Sequence, residues 1–310
     1  FTPLGNASNI TITDEVSLIT LTKIIMGNCL IAGLPDSGKS TYIGALWYVL
    51  KNDVDKIQLS LVSSTDNLPE NTKQLNTLSK TWHNVEDMDR TSKDVPNSIS
   101  LILKRQGDDN EFTLNLPDFK GESIRAIVTK NHPKELDEWC EKADGLIFMI
   151  SDISHGIFED DFISDDDEVD YTNKLSQPPQ LEPKSITPAT LNMILLKYLK
   201  EKLQTDKVVI CLSAWDKVEK ECKSSPEEYL KNNSPALYNF ICYHFPAVTF
   251  YGLSAQGDSY RYDNNAETKK VSKECKEELQ KRMKSGRRAY IYDGKEKSFD
   301  ITKPIFKLLE

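Results

Sequence analysis

The chain has 310 residues, 38% of them hydrophobic and 28% charged, an ordinary balance for a soluble globular protein. Its formal net charge is −9, but Glu159 to Asp170 alone hold eight acids and no base, so the rest is close to neutral; that balance argues against a nucleic-acid binder. No apolar run approaches the roughly 18–20 residues that span a bilayer, the first residues lack the layout of a secretory signal, and six cysteines without a C-x-x-C pair suit a reducing cytoplasm.

Strand-like and helix-like stretches alternate along the chain. After a lead-in over residues 1–23, Ile24 to Ala32 reads as an apolar strand, followed by a helix from about Gly38 to Leu50. Ile57 to Val62 alternates as a half-buried strand, and a polar helix spans roughly Asn71 to Val85. Ser98 to Arg105 and Glu111 to Leu116 flank Gln106-Gly107-Asp108-Asp109-Asn110, which reads as a hairpin loop. Helices are predicted over Ala126 to Ala143, Pro188 to Gln204 and Pro226 to Tyr243. Leu146 to Ile150, Val208 to Leu212 and Val248 to Leu253 are apolar runs suited to strands covered on both faces. Residues 154–184 read as an inserted acidic loop. Val271, Cys275, Leu279 and Met283 recur every fourth residue ahead of Gly286, which marks a helix with a solvated basic face. Ile301, Ile305, Leu308 and Leu309, with Pro304 at a helix start, predict a closing helix. The β-then-α rhythm predicts an α/β domain over residues 24–256, three layers with a mixed, mainly parallel sheet, and a helical extension over 257–310 packed on it.

Gly33-Leu34-Pro35-Asp36-Ser37-Gly38-Lys39-Ser40 satisfies G-x-x-x-x-G-K-[ST] between a strand and a helix. The glycines let the backbone wrap a phosphate with its N–H groups inward, and the helix N-terminus adds its dipole. Lys39 would reach the β- and γ-phosphates and Ser40 would ligate Mg²⁺, with Asp36, Ser37 and Thr41 in the same loop and first turn. Leu114 to Gly121 is a strand ending in D-x-x-G, where Asp118 can hold Mg²⁺ through water and the Gly121 N–H can bond the γ-phosphate. Val208 to Asp216 is a strand ending in an acid, and a carboxylate there can accept both N1–H and N2–H of guanine, which adenine does not offer. Ser254-Ala255 ends the last apolar run, where backbone N–H groups can meet the guanine O6.

In this order, the segments resemble the signature boxes of the P-loop GTPases of the translation-factor class. The base-reading box is usually N-K-x-D; here it is Ser213-Ala214-Trp215-Asp216, which retains only the acid. More narrowly, Gly33 to Thr41 and Asp300-Ile301-Thr302-Lys303-Pro304-Ile305 are similar to the double-GTPases of bacterial conflict systems. The resemblance implies a Ras-like architecture with insertions, GTP and GDP as ligands, Mg²⁺, a protein effector or activating partner, and a nucleotide-dependent dimer. It also implies a switch threonine upstream of D-x-x-G: Thr91 is the candidate, with Thr72, Thr77 and Thr81 open alternatives. Arg90 would serve as an internal arginine finger, and Glu122, where relatives place a glutamine, as a base for water. A carboxylate beside a γ-phosphate predicts slow hydrolysis. A non-hydrolysing sensor scaffold and an ATPase stand as alternatives.

Overall fold

The computed structural model describes residues 25–52, 57–62, 72–88, 98–107, 111–117, 134–151, 153, 186–263 and 270–310. Nine strands among them form one sheet: β1 (Ile25–Gly33), β2 (Leu59–Leu61), β3 (Ser98–Arg105), β4 (Glu111–Pro117), β5 (Gly145–Ile150), β6 (Val208–Ser213), β7 (Thr249–Ser254), β8 (Tyr290–Tyr292) and β9 (Lys297–Ser298). Their order is β2-β3-β4-β1-β5-β6-β7-β8-β9. The five central strands, β4 to β7 through β1, run parallel, while β2 and β3 on one side and β8 and β9 on the other join them by antiparallel pairing. This is the α/β, mainly parallel sheet that the alternating pattern predicts.

The helices described are α1 (Lys39–Lys51), α2 (Thr72–His83), α3 (Lys134–Lys142), α4 (Pro188–Lys202), α5 (Trp215–Glu221), α6 (Pro226–Asn233), α7 (Pro235–His244), α8 (Lys273–Lys284) and α9 (Lys303–Leu309). Strand periodicity sorts the core. Cys29, Ile31, Ile147, Met149, Val209 and Cys211 face α1, α2 and α9, whereas Leu30, Ala32, Leu146, Phe148 and Ile210 face α3, α4, α6 and α7. Every residue of β5 and β6 is buried, because helices cover both faces, which is why these strands read as continuous apolar runs. Burial pushes the Cys29 and Cys211 thiols far up, so both behave as small core hydrophobes.

Three differences from the sequence reading have local causes. The helix expected over Pro226 to Tyr243 is two helices, broken at Ser234 (φ −146, ψ 63), because Pro235 has no N–H to donate and its ring clashes with the preceding turn. The strand expected over 57–62 is regular only over Leu59–Leu61, with single backbone bonds at Gln58 and Val62 continuing toward β3. Residues 257–310, expected to be helical, also supply β8 and β9, runs too short to carry a recognisable period. The lead-in, the acidic loop and residues 126–133 of the expected third helix lie outside the described residues.

α9 closes the sheet, and its start is tied down by polar contacts. Tyr42 Oη donates to the Ile301 carbonyl (2.9 Å), and the Asp300 carboxylate accepts from the N–H groups of Thr302 (2.9 Å) and Gln58 (2.8 Å). The Asp300 to Ile305 stretch is therefore a structural anchor, joining α1, the residue before β2 and α9.

Candidate functional site

β1 lies between β4 on one side and β5 on the other, so crossovers leave it in both directions and open a crevice at the strands' carboxyl ends. The loop between β1 and α1 occupies that crevice. Gly33 (φ 152), Asp36 (φ 60) and Gly38 (φ 87) all have positive φ, which turns successive peptide groups inward. Any side chain at Gly33 would be driven into the Met149 carbonyl, 2.3 Å from an added Cβ. At Gly38 the space is ordinary, with Ser213 Cβ 3.6 Å away, so there it is the backbone angle that demands glycine.

Ser37 is fully buried, and its N–H donates to the Leu34 carbonyl at 3.2 Å, closing the turn. The Lys39 ammonium donates to the carbonyls of Gly33 (2.9 Å) and Leu34 (2.8 Å) and to Ser37 Oγ (3.2 Å). It therefore lies folded over the loop, held by charge-assisted bonds that an incoming phosphate can replace. α1 has Gly38 at its N-cap, with no side-chain hydrogen bond and no acid in its first turn. Its first N–H groups, including those of Lys39, Ser40 and Thr41, carry the positive end of the helix dipole and suit an anion.

The second half of the site sits at the ends of β6 and β7, neighbours in the same parallel sheet. Ser213 ends β6, with its hydroxyl on the Ile150 carbonyl (3.3 Å), and Ala214 takes a left-handed turn (φ 52) that starts α5. The turn sends Trp215 into the core and leaves Asp216 in the first helical turn. Trp215 is 1% exposed, stacked near Tyr292 and edge-on to Tyr229. Asp216 is 6% exposed and accepts from Ser254 Oγ at 2.7 Å, the one hydrogen bond it makes among the described residues. Ser254 Oγ in turn accepts the Gly257 N–H at 3.2 Å. One carboxylate oxygen is thus fixed, and the other retains its capacity to accept from a ligand.

The Ala255 carbonyl accepts from Trp82 Nε1 (2.8 Å) on α2. Arg288, 1% exposed, donates through Nε to the Gln256 carbonyl (3.0 Å), to the Trp82 carbonyl, and to Tyr260 Oη (3.0 Å), with its guanidinium 4.1 Å from the Trp82 ring centroid. Burial lowers its pKa, and no carboxylate joins it among the described residues. Trp82 and Arg288 clamp the Ser254–Gly257 loop to α2. Sequence reading missed both: Arg288 was hidden in a basic run, while the single tryptophan of α2, on one face with Leu75 and Leu78, was the available hint.

Of the expected site residues, Gly33, Asp36, Ser37, Gly38, Lys39, Ser40, Thr41, Asp216, Ser254 and Ala255 lie along the carboxyl-end edge of the parallel sheet. Asp118, Gly121, Glu122, Arg90 and Thr91 lie outside the described residues. β4, whose last residue precedes Asp118, runs parallel to β1 and ends at the same edge. Thr72, Thr77 and Thr81 lie within α2, where Thr77 Oγ1 donates back to the Lys73 carbonyl (2.9 Å). The described residues contain no group of three or more potential metal-ligating side chains, and no helix long and apolar enough to cross a membrane.

Fold and phosphate loop together define an α/β protein of the P-loop type. The chain belongs to the Double-GTPase 1 family, whose sequence model matches residues 30–308, and it is accordingly a GTP-binding protein. Among solved structures it is similar to the S. cerevisiae Ski7 GTPase-like domain bound to GDP and inorganic phosphate (15% identity, 78% of this chain and 46% of that one, TM-score 0.42). It is also similar to Sup35 complexed with GDP (15%, 81% and 43%, TM-score 0.34). A third is the Chaetomium thermophilum signal recognition particle receptor SRb-GTP/SRX complex (13%, 76% and 93%, TM-score 0.36). The chain spans less than half the length of the Ski7 and Sup35 chains. No curated protein sequence matches it.

Proposed function

We propose that this chain is a regulatory switch that binds GTP with Mg²⁺ and hydrolyses it slowly to GDP and phosphate. One observation carries the reading: the phosphate loop and the Asp216–Ser254 pair stand at the same edge of one parallel sheet, over β1, β6 and β7. The uncapped α1 terminus and the Lys39 ammonium fit a triphosphate, and Ser40 in the first turn fits one position of a Mg²⁺ shell shared with Asp118 and Thr91. Bound there, Mg²⁺ would neutralise charge on the β- and γ-phosphates. Lys39 and the loop N–H groups position the phosphates, Asp216 accepts from the guanine N1–H and N2–H, and the Ala255 N–H meets O6. Water attacks the γ-phosphate in line, with Glu122 as its base and Arg90 stabilising the charge on the transferring phosphoryl group. Slow turnover leaves control to a protein partner or to a nucleotide-dependent dimer. The six free cysteines suit a cytoplasmic home, and a role in bacterial defence or stress signalling rests on the family resemblance alone.

Calorimetric titration with GTP and with ATP tests the reading. Lys39→Ala should weaken GTP at least tenfold, about 1.4 kcal/mol or more, with the fold retained; wild-type affinity would remove the phosphate-loop assignment. Asp216→Asn should weaken GTP and strengthen xanthosine triphosphate, because the new amide can donate to the xanthine 2-oxo group, and unchanged GTP binding would end the base-reading assignment. The altered Ser213-Ala214 pair favours a second reading, a nucleotide-sensing scaffold. Tight GTP binding with no multiple-turnover phosphate release would select it, and a preference for ATP would select an ATPase.

A further inference from the structure

Behind the Ser254–Gly257 loop, on the side of β8 and α8, a cleft of about 280 Å³ is lined by Arg282, Ser285, Arg287, Arg288, Tyr290 and Lys297, with no acid in its lining. It adjoins a second cleft of about 240 Å³ that reaches Asp216, and Gly257, Arg282, Tyr290 and Lys297 wall both. Two of the four cations are compensated. Arg282 pairs with Glu278 and, at 3.7 Å, with Asp258, and Lys297 pairs with Glu219 at 2.8 Å.

The other two are not. Among the described residues Arg288, 1% exposed, reaches carbonyls, the Tyr260 hydroxyl and the Trp82 ring but no carboxylate, and spends three of its five N–H groups on them. Arg287 is exposed, and its guanidinium lies 5.9 Å from the centroid of the Phe299 ring. Arg287 therefore presents its charge to the cleft without a carboxylate partner among the described residues, while Arg288 walls it from a buried position. The negative end of α8 does not supply counter-charge, because the Arg282 carbonyl is taken by the Arg287 N–H (2.8 Å) and Ser285 Oγ (2.8 Å), and the Met283 carbonyl by the Gly286 N–H (2.9 Å).

We propose that this cleft is an anion site for a small polyphosphate, distinct from the phosphate loop. Guanidinium groups match phosphate oxygens in pairs, and a volume of about 280 Å³ has room for more than one phosphate group. The site touches the base-reading side through Gly257, whose backbone lies against Arg288 and whose N–H orients Ser254 beneath Asp216.

The test is calorimetric titration of pyrophosphate into the Lys39→Ala chain at low salt without Mg²⁺. That background weakens phosphate-loop binding, so the outcome does not depend on the proposed GTP reading. One pyrophosphate should bind per chain, and Arg287→Gln and Lys297→Gln should each weaken it about tenfold. Lys281→Gln, on the exposed face of α8 and outside the cleft, should leave it unchanged, and thermal unfolding confirms that each variant is folded. Absence of saturable binding, or equal weakening by Lys281→Gln, would overturn the site in favour of diffuse attraction to a basic helix.

Discussion

Replacing Gly252 with alanine probes how the base-reading acid is positioned. Gly252 lies on β7 beside Leu212 and Tyr292, and a Cβ built there falls 2.3 Å from Trp215 Cδ2 and 2.4 Å from Cγ. Reaching the ~3.5 Å optimum between carbons requires the indole to move by about 1 Å. Trp215 has little room for that, being 1% exposed between Tyr229 and Tyr292. Overpacking of this kind costs about 1–3 kcal/mol, which should lower the unfolding midpoint by roughly 2–8 °C. Asp216 follows Trp215 directly, so the same shift disturbs its 2.7 Å bond to Ser254. Displacements of about 1 Å at a positioned group can cost on the order of a hundredfold in function. The assay compares GTP with inosine triphosphate, which lacks the 2-amino group, in wild type and in Gly252→Ala. GTP should lose affinity much more than inosine triphosphate, narrowing the preference between them. Equal loss for both nucleotides, or wild-type stability, would refute the idea that Trp215 packing sets the carboxylate.

Two further outcomes test the clamp on the base loop and the acid response of the rim. Trp82→Phe removes the indole N–H that the buried Ala255 carbonyl accepts, so chemical denaturation should show a loss of about 1–3 kcal/mol, with weaker GTP binding; intact stability would mean that the bond contributes nothing. Burial alone would raise the Glu219 carboxyl, but hydrogen bonds from Lys297 (2.8 Å) and Tyr290 (2.6 Å) outweigh it and hold the pKa below its ordinary value. Asp258 is lowered in the same way, chiefly by Lys220. With folded values below unfolded ones, this stability is present above about pH 4.3 and lost as pH falls further. The fall in unfolding midpoint below that pH should be shallower in Lys297→Gln, and an identical acid limb would remove Glu219 from the account.

What sequence alone determined here follows from local rules. The period of the apolar residues specified strands and helices, because side-chain direction is a property of the backbone repeat. The glycine, lysine and serine spacing specified a phosphate loop, because only a loop of that shape turns N–H groups inward. Pro304 and the four-residue spacing in α8 were legible for the same reason. The break at Pro235 could have been read too, since proline acts on its own turn.

Tertiary structure decided what depends on distant residues meeting. Asp216 is buried because Trp215 fits over Gly252, and it is oriented because Ser254 sits across a strand boundary 38 residues away. Arg288 joins Gln256 to Trp82, the latter 206 residues from it in the chain, and only packing distinguishes it from Arg287 beside it, which stays exposed. A one-dimensional pattern registers the spacing of a residue to its neighbours, whereas burial and charge compensation are set by which elements close over it. The cleft behind the base loop is of that second kind: its four cations come from α8, the turn after it and β9, brought together by the sheet's far edge.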